Sequence, residues 1–184
     1  MKLRFPKPYA DFVARLRVPC GFLLVAAFAW FSRPDARALS LGLPVSLLGL
    51  ALRGWAAGHL AKNQALASSG PYAFTRNPLY LGTLLVAAGL ALASRSVDLA
   101  ALFAAVFLLV YLPVIQLEQQ HLYSLFADYA TYAARVPMLW PRLTPAGSIR
   151  GFRWRLYRKN REYEAAAGFL AGTLLLIWKA SAKL

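Results

Sequence analysis

The amino-acid sequence predicts an all-α protein, a polytopic membrane helical bundle of about five transmembrane helices with a polar subdomain at the cytoplasmic face. The first observation is composition: 59% of the 184 residues are hydrophobic and the mean hydropathy is +0.48, whereas soluble domains average roughly 45–50% apolar residues. The second is pattern, because the apolar residues gather in five long runs. The third is charge: 21 Lys and Arg residues against 7 Asp and Glu residues give a formal charge of +14, concentrated outside those runs.

Five apolar stretches are candidate membrane helices. They are Val18–Phe31, Leu39–Leu60, Leu79–Ala93, Leu99–Leu117 and Ala165–Trp178. A perpendicular span needs about 20 residues, which the fourth stretch provides and the second provides if Arg53 faces protein or extends to the interface. The other three need flanking residues or a thinner bilayer. Because only Ser94–Asp98 join the third and fourth stretches, these two should form an antiparallel hairpin.

The basic residues predict an orientation in a cell or inner membrane, with the N-terminus and the polar subdomain in the cytoplasm. In this orientation the cytoplasmic side carries Lys2, Arg4, Lys7, Arg15, Arg17, Lys62, Arg76 and the cluster Arg135–Arg161, and the opposite side carries Arg33, Arg37, Arg95, Lys179 and Lys183. A basic leader before Val18–Phe31 also permits a signal peptide. The large Trp30 and Phe31, beside a cleavage-like Ala27-Phe28-Ala29, favour a retained helix.

The length predicts a single domain over residues 1–184. The composition also indicates which classes of partner this chain binds. No nucleic-acid motif accompanies the positive charge, so the expected partner is the lipid bilayer and no nucleic acid, with Arg150–Arg161 on anionic headgroups. Cys20 is a lone packing residue, and two histidines without a cysteine cluster predict no metal site. Gly168 and Gly172 favour close helix packing, within the bundle or in a homodimer.

The turn before the third stretch is the first candidate for a site. Gly70-Pro71 is a turn signal. Asn77-Pro78 joins a favoured N-cap to a favoured first helical residue, so a helix should begin there. Free N–H groups at a helix N-terminus attract anions, and Arg76 adds a positive charge beside them. A carboxylate or phosphate could bind there; an ordinary capped helix is the alternative.

Glu118 is the second candidate because it ends the longest apolar run, where ionised groups are often functional. The alternative is an interfacial charge on an exposed turn. Helical periodicity over Glu118–Arg135 predicts an amphipathic helix, which Pro137 would end. His59 and His121 are the only histidines; each is either a proton carrier or a hydrogen-bonded packing residue.

Two blocks of residues, in this order, resemble a known family. The first is Ser69-Gly70-Pro71-Tyr72 followed by Arg76-Asn77-Pro78-Leu79-Tyr80-Leu81-Gly82, and the second runs from Glu118 through Leu122, Phe126, Tyr129 and Tyr132 to Arg135-Val136-Pro137 and Pro141. Separated by one hairpin and covering roughly Arg53–Arg142, they resemble the isoprenylcysteine carboxyl methyltransferases and their phospholipid-methyltransferase relatives. The resemblance implies a membrane-embedded methyltransferase without a Rossmann domain, with its catalytic subdomain at the cytoplasmic face.

The resemblance also implies the cofactor S-adenosyl-L-methionine and a lipid-like or small amphiphilic methyl acceptor. The implied cofactor-binding residues are Gln64, Leu66, Ala67, Tyr72, Asn77, Pro78, Leu79 and Tyr80. In the family, the Glu that opens the second block lies at the substrate, and Glu118 matches it. Together with Arg76 and His59, Glu118 completes the set of catalytic candidates.

The sequence departs from the family pattern at three positions, and the third of them bears on the acceptor. The family often has His where Asn77 stands, a second Glu where Gln119 stands and, in prenylcysteine enzymes, Arg where Val114 stands. A carboxylate acceptor needs orientation, for which Arg76 is suited, whereas an amine must lose a proton, for which Glu118 or His59 is suited. The residue at Val114 favours an amine or another small amphiphile. A non-catalytic membrane component, a small transporter and a nicotinamide-dependent membrane reductase are the alternative functions.

Overall fold

A computed structural model describes residues 5–182, which form helices and connecting turns without a strand in that range. The helices are α1 (Lys7–Phe31), α2 (Ala36–Ala57), α3 (Pro78–Ser94), α4 (Val97–Val106), α5 (Leu112–Leu125), α6 (Tyr129–Arg135), α7 (Trp154–Lys159) and α8 (Tyr163–Ser181), with a 3-10 turn at Gly70–Ala73 and a π-helical turn at Phe107–Tyr111. The all-α prediction is confirmed for this part of the chain. Lys2, Arg4 and Lys183, used above to predict the orientation, lie outside the described residues.

Two helical segments within residues 5–182 are long and apolar enough to cross a membrane. They are α2 and the continuous segment Val97–Leu125, which joins α4 to α5. A third is obtained if α1, which bends by 53° between Leu16 and Val18, counts as one span. Helix α3 has only 17 residues, and the predicted total of five spans stays a prediction. Exposed apolar side chains such as Phe22 and Leu48 fit lipid contact.

The chain divides into two compact units. The first contains residues 5–46, 87–120 and 171–182, and the second contains residues 47–86 and 121–170. In the first unit a small core forms from Phe28, Ala93, Leu99 and Leu176. The predicted short link is confirmed, because α3 ends at Ser94 and α4 begins at Val97, where the Ser96 hydroxyl accepts from the Leu99 N–H. The antiparallel arrangement of the two helices stays a prediction.

In the first unit, side chains donate to two backbone carbonyls that lack a helical N–H donor. Pro113 has no N–H to donate to the Leu109 carbonyl four residues earlier. The Tyr9 hydroxyl donates to that carbonyl instead, at 2.7 Å, beside the π-helical turn. At the C-terminus of α1, the Lys179 ammonium donates to the Ala29 carbonyl, also at 2.7 Å. Both side chains thereby satisfy carbonyls that lipid could not.

In the second unit, α2 and α3 approach closely around two glycines. A Cβ on Gly49 would lie 2.6 Å from the Gly82 carbonyl oxygen, so only glycine allows this spacing. The Arg53 side chain of α2 contacts other residues of the second unit. Its guanidinium forms a two-point ion pair with Glu162, with Nε–Oε1 at 2.6 Å and Nη2–Oε2 at 3.1 Å, and also donates to Thr83 of α3. Arg53 therefore faces protein.

One helix expectation is wrong. The predicted continuous amphipathic helix Glu118–Arg135 is interrupted, because α5 ends at Leu125 and α6 begins at Tyr129. The break lets Tyr129 and Tyr132 enter a core that includes Val136 and half-buried Leu66. After the break both rings are buried, Tyr129 to 1% exposure and Tyr132 to 6%. The predicted end before Pro137 and the predicted start at Pro78 are confirmed.

The Arg53–Glu162 pair generates a stability prediction. The Glu162 side chain is 7% exposed, so Glu162→Gln leaves a buried cation poorly compensated, at a cost of about 3–5 kcal/mol. We expect a clear fall in the melting temperature of detergent-purified protein, followed by tryptophan fluorescence. Glu164→Gln is the matched control, because its pair with Arg161 is more than half exposed and contributes about 0–1 kcal/mol. Equal melting temperatures for the two variants would contradict a stabilising role for the buried pair.

Candidate functional site

The turn between α2 and α3 meets the chain that follows α6, entirely within the second unit. The Asn77 side-chain amide donates to the Met138 carbonyl at 2.8 Å. The Thr75 hydroxyl lies 3.0 Å from the Leu139 carbonyl, and the Arg76 N–H donates to the Pro137 carbonyl at 2.9 Å. Asn77 thus anchors the start of α3 to the segment after α6. The two sequence blocks singled out above are joined through Thr75, Arg76 and Asn77.

A second set of bonds ties Gly70–Ala73 to the same part of the chain. The Tyr132 hydroxyl donates to the Tyr72 carbonyl at 2.8 Å, while the N–H of Gly70 donates to the Ser148 carbonyl, also at 2.8 Å. Burial strongly raises the pKa of the Tyr132 hydroxyl, with a further increase from Tyr129 and an opposing effect of Arg76. Tyr132 therefore keeps its proton and donates throughout the neutral pH range.

His59 lies beneath the Gly70 turn. Its Nδ1 is 2.9 Å from the Trp55 carbonyl, and a carbonyl only accepts, so Nδ1 carries the proton of the neutral ring. Nε2 is left with its lone pair, buried and without a hydrogen-bond partner. A Cβ on Gly70 would lie 2.5 Å from this Nε2, and the Phe152 ring packs edge-on against the imidazole. The tautomer of His59 is thus fixed by its surroundings.

Arg76 stands immediately before the N-terminus of α3. Its Nε is buried and has no hydrogen-bond partner, although its backbone N–H is bonded to Pro137. Pro78, the first residue of α3, is fully buried. Arg76 precedes Pro78 by two residues, so its positive charge is carried close in sequence to the positive end of α3. An anionic group is the ligand that this pair of features favours.

A cavity of about 520 Å³ opens beside the same turn. It is lined by Leu66, Ser68, Ser69, Asp128, Thr131, Tyr132, Arg135, Val136, Ala146, Gly147 and Ser148. Its lining mixes hydroxyls, one carboxylate and apolar surface, and its volume is typical of sites for small molecules. Of the cofactor-binding residues predicted from the sequence, only Leu66 lines this cavity. Asp128 and Ser148 were missed because they come from turns far apart in the sequence.

The predicted cofactor residues all lie in the second unit, in different degrees of exposure. Tyr72 and Pro78 are buried, Leu66, Ala67, Asn77, Leu79 and Tyr80 are half-buried, and Gln64 is exposed. Arg76 and His59 belong to the same unit. The structure therefore brings the first block and two catalytic candidates into one compact body.

Glu118 belongs to the first unit and is exposed on α5. The next residue, Gln119, is 1% exposed, and neither polar atom of its amide has a hydrogen-bond partner. The sequence analysis singled out Glu118, which is exposed. The buried polar residue is its neighbour Gln119, at a position where the family pattern often has a second Glu. The role of Glu118 stays a prediction.

A comparison with known families matches the first block and the start of the second. A family model described as phospholipid methyltransferase matches residues 45–129. The cobalt-zinc-cadmium resistance protein CzcN of Cupriavidus metallidurans is 38% identical over 135 residues, which cover 70% of this chain but only 62%, less than two thirds, of CzcN. The nickel-cobalt-cadmium resistance protein NccN of Alcaligenes xylosoxydans xylosoxydans is 32% identical over 183 residues, 93% of this chain and 86% of NccN. No solved structure matches significantly.

The contact between Gly70 and His59 generates the prediction for this site. Gly70 has φ +59°, where alanine is strained by roughly 1–2 kcal/mol, and its Cβ would also collide with the imidazole. We expect Gly70→Ala to lower the melting temperature strongly in the wild-type background and only moderately in the His59→Ala background. Thermal unfolding of the four proteins measures this coupling. Equal losses in both backgrounds would show that backbone strain alone accounts for the effect.

Proposed function

We propose methyl transfer as the function, from the premise that this chain belongs to the phospholipid methyltransferase family. The proposed reaction moves a methyl group from S-adenosyl-L-methionine to a lipid-like or small amphiphilic acceptor at the membrane interface. The observation that carries the proposal is that Thr75, Arg76 and Asn77 join the two sequence blocks by hydrogen bonds. Arg76, at the start of α3, keeps a buried Nε that has no hydrogen-bond partner.

The residues present fit such a cofactor. A carboxylate would satisfy the unpartnered Arg76 Nε and the positive end of α3. The cavity of about 520 Å³ would offer the Asp128 carboxylate and the Ser69 hydroxyl to sugar hydroxyls, and apolar surface at Leu66 and Val136 to an adenine ring. Arg76, Asp128, Ser69 and Leu66 are therefore the residues that would hold it.

The methyl group of the bound cofactor is itself electrophilic, so the protein must align the reactants and exclude water. Correct alignment contributes up to about 7–11 kcal/mol. Rigidity for alignment comes from the bonds of Thr75 and Asn77 to the segment after α6. The Trp55 and Phe152 rings pack around His59 and shield that side chain from water.

The acceptor class determines whether a base is required. An amine must release a proton before it attacks the methyl group, whereas a carboxylate attacks as it is. We infer an amine or another small amphiphile, because Val114, which stands where prenylcysteine enzymes carry Arg, is a buried apolar residue. Either the lone pair of His59 Nε2 or, as the alternative, the carboxylate of Glu118 is the proposed proton acceptor for this class.

Metal resistance appears in the names of both relatives. Within residues 5–182 no group of three or more His, Cys, Asp or Glu side chains is placed to hold a metal ion. For this chain we therefore propose that any contribution to metal resistance proceeds through the methylated product. Cells that express the wild-type protein should then tolerate cobalt, zinc or cadmium better than cells that express the Arg76→Gln variant described below.

Cofactor binding tests the proposal directly. We expect detergent-purified protein to bind S-adenosyl-L-methionine saturably in calorimetric titration, and Arg76→Gln to weaken binding about tenfold or more, because a charge-assisted hydrogen bond contributes about 1.5–3 kcal/mol. Arg33→Gln is the control, since Arg33 is an exposed arginine of the other unit. Absence of binding by folded wild-type protein, or binding of a reduced nicotinamide nucleotide in its place, would overturn the proposal.

A further inference from the structure

The segment between residues 149 and 161 presents an unusual density of unpaired positive charge. Six basic side chains are exposed there: Arg150, Arg153, Arg155, Arg158, Lys159 and Arg161. Among the ion pairs of the described residues, only Arg161 takes part, with Glu164. The other five cations have no carboxylate beside them, so their charge is available to an external anion.

Apolar and aromatic side chains are interleaved with these cations. Ile149 is 53% exposed and Trp154 is 68% exposed, whereas Leu156 of α7 is buried and attaches the helix to the rest of the unit. One face of α7 therefore packs inward, and the other presents Trp154 together with basic residues. Exposed tryptophan beside arginine and lysine is the composition of membrane-interface helices.

The segment is held at the end of a membrane-spanning candidate. The N–H of Arg153 donates to the Gly58 carbonyl at 2.9 Å, and the Asn160 amide donates to the carbonyls of Ala57 and Leu60, both at 2.9 Å. Ala57 is the last residue of α2, whose apolar length spans a bilayer. The basic residues are thereby fixed at the level where the apolar run of α2 ends, which is the level of phospholipid headgroups.

We propose that the exposed face of α7, with Trp154, Arg155, Arg158 and Lys159, is a binding surface for anionic phospholipid headgroups. The charge is complementary and the aromatic ring suits the interface. One backbone bond from Arg153 and two side-chain bonds from Asn160 fix the position. This surface is distinct from the Arg76 turn and does not depend on the proposed methyl transfer. It would hold the second unit against an anionic leaflet.

Lipid binding to the purified full chain tests this surface. Native mass spectrometry would measure the affinity for phosphatidylglycerol and for phosphatidylcholine in the wild type and in Arg155→Gln/Arg158→Gln/Lys159→Gln. We expect the wild type to prefer phosphatidylglycerol and the triple variant to bind it at least about tenfold more weakly, since each cation near an anionic surface contributes about fivefold. High salt should remove the preference.

Two control variants distinguish loss of this surface from a general loss of net charge and from misfolding. Arg33→Gln/Arg37→Gln/Arg95→Gln removes the same charge from exposed positions of the other unit. In the predicted orientation these residues lie on the opposite side of the membrane, so this variant should keep the wild-type preference. Arg155→Lys/Arg158→Lys conserves the charge and should keep it as well. Wild-type affinity in the triple variant, or equal loss in the first control, would overturn the proposal. So would a single-stranded RNA that displaces phosphatidylglycerol from the wild type and fails to bind the triple variant.

Discussion

Backbone carbonyls that lack a helical partner near a bilayer need a donor from the protein, because lipid offers none. This constraint determines how the ends of the helices are built. Asn160 donates to the carbonyls at the end of α2, Lys179 to the end of α1, and Tyr9 to the carbonyl that Pro113 leaves without its N–H. Each donor is distant in sequence from its acceptor, so these bonds also hold separate segments together within each unit.

The same constraint shapes the candidate site. The turn from Gly70 to Asn77 makes its own bonds at Phe74 and Thr75, whose N–H groups donate to the Pro71 carbonyl. The segment after α6 accepts from Thr75, Arg76 and Asn77. Once these bonds are made, the Nε of Arg76 and the Nε2 of His59 are the buried atoms of the turn region left without partners. An unsatisfied buried polar atom costs about 1–3 kcal/mol. A ligand that satisfies such an atom recovers that cost on binding, which is why the turn suits a polar ligand.

Local signals in the sequence predicted the parts of the fold that depend on neighbouring residues. Asn77-Pro78 marked the start of α3, and Ser94–Asp98 marked the boundary between α3 and α4. The break between α5 and α6 escaped prediction because helical periodicity continues across it, whereas the cluster that buries Tyr129 also contains Leu66, which is distant in sequence. Likewise, the partner of Arg53 lies 109 residues away, and no local pattern points to Glu162. The cavity was missed for the same reason.

Transfer of a labelled methyl group from S-adenosyl-L-methionine into organic-extractable lipid is the measurement that tests the central claim most directly. Wild-type protein reconstituted in vesicles that contain an amine phospholipid should move label into the lipid phase. Arg76→Gln should move little, and His59→Ala and Glu118→Ala would identify which side chain takes the proton. Absence of transfer to any lipid or small amphiphile, from protein that is folded and binds the cofactor, would contradict the account.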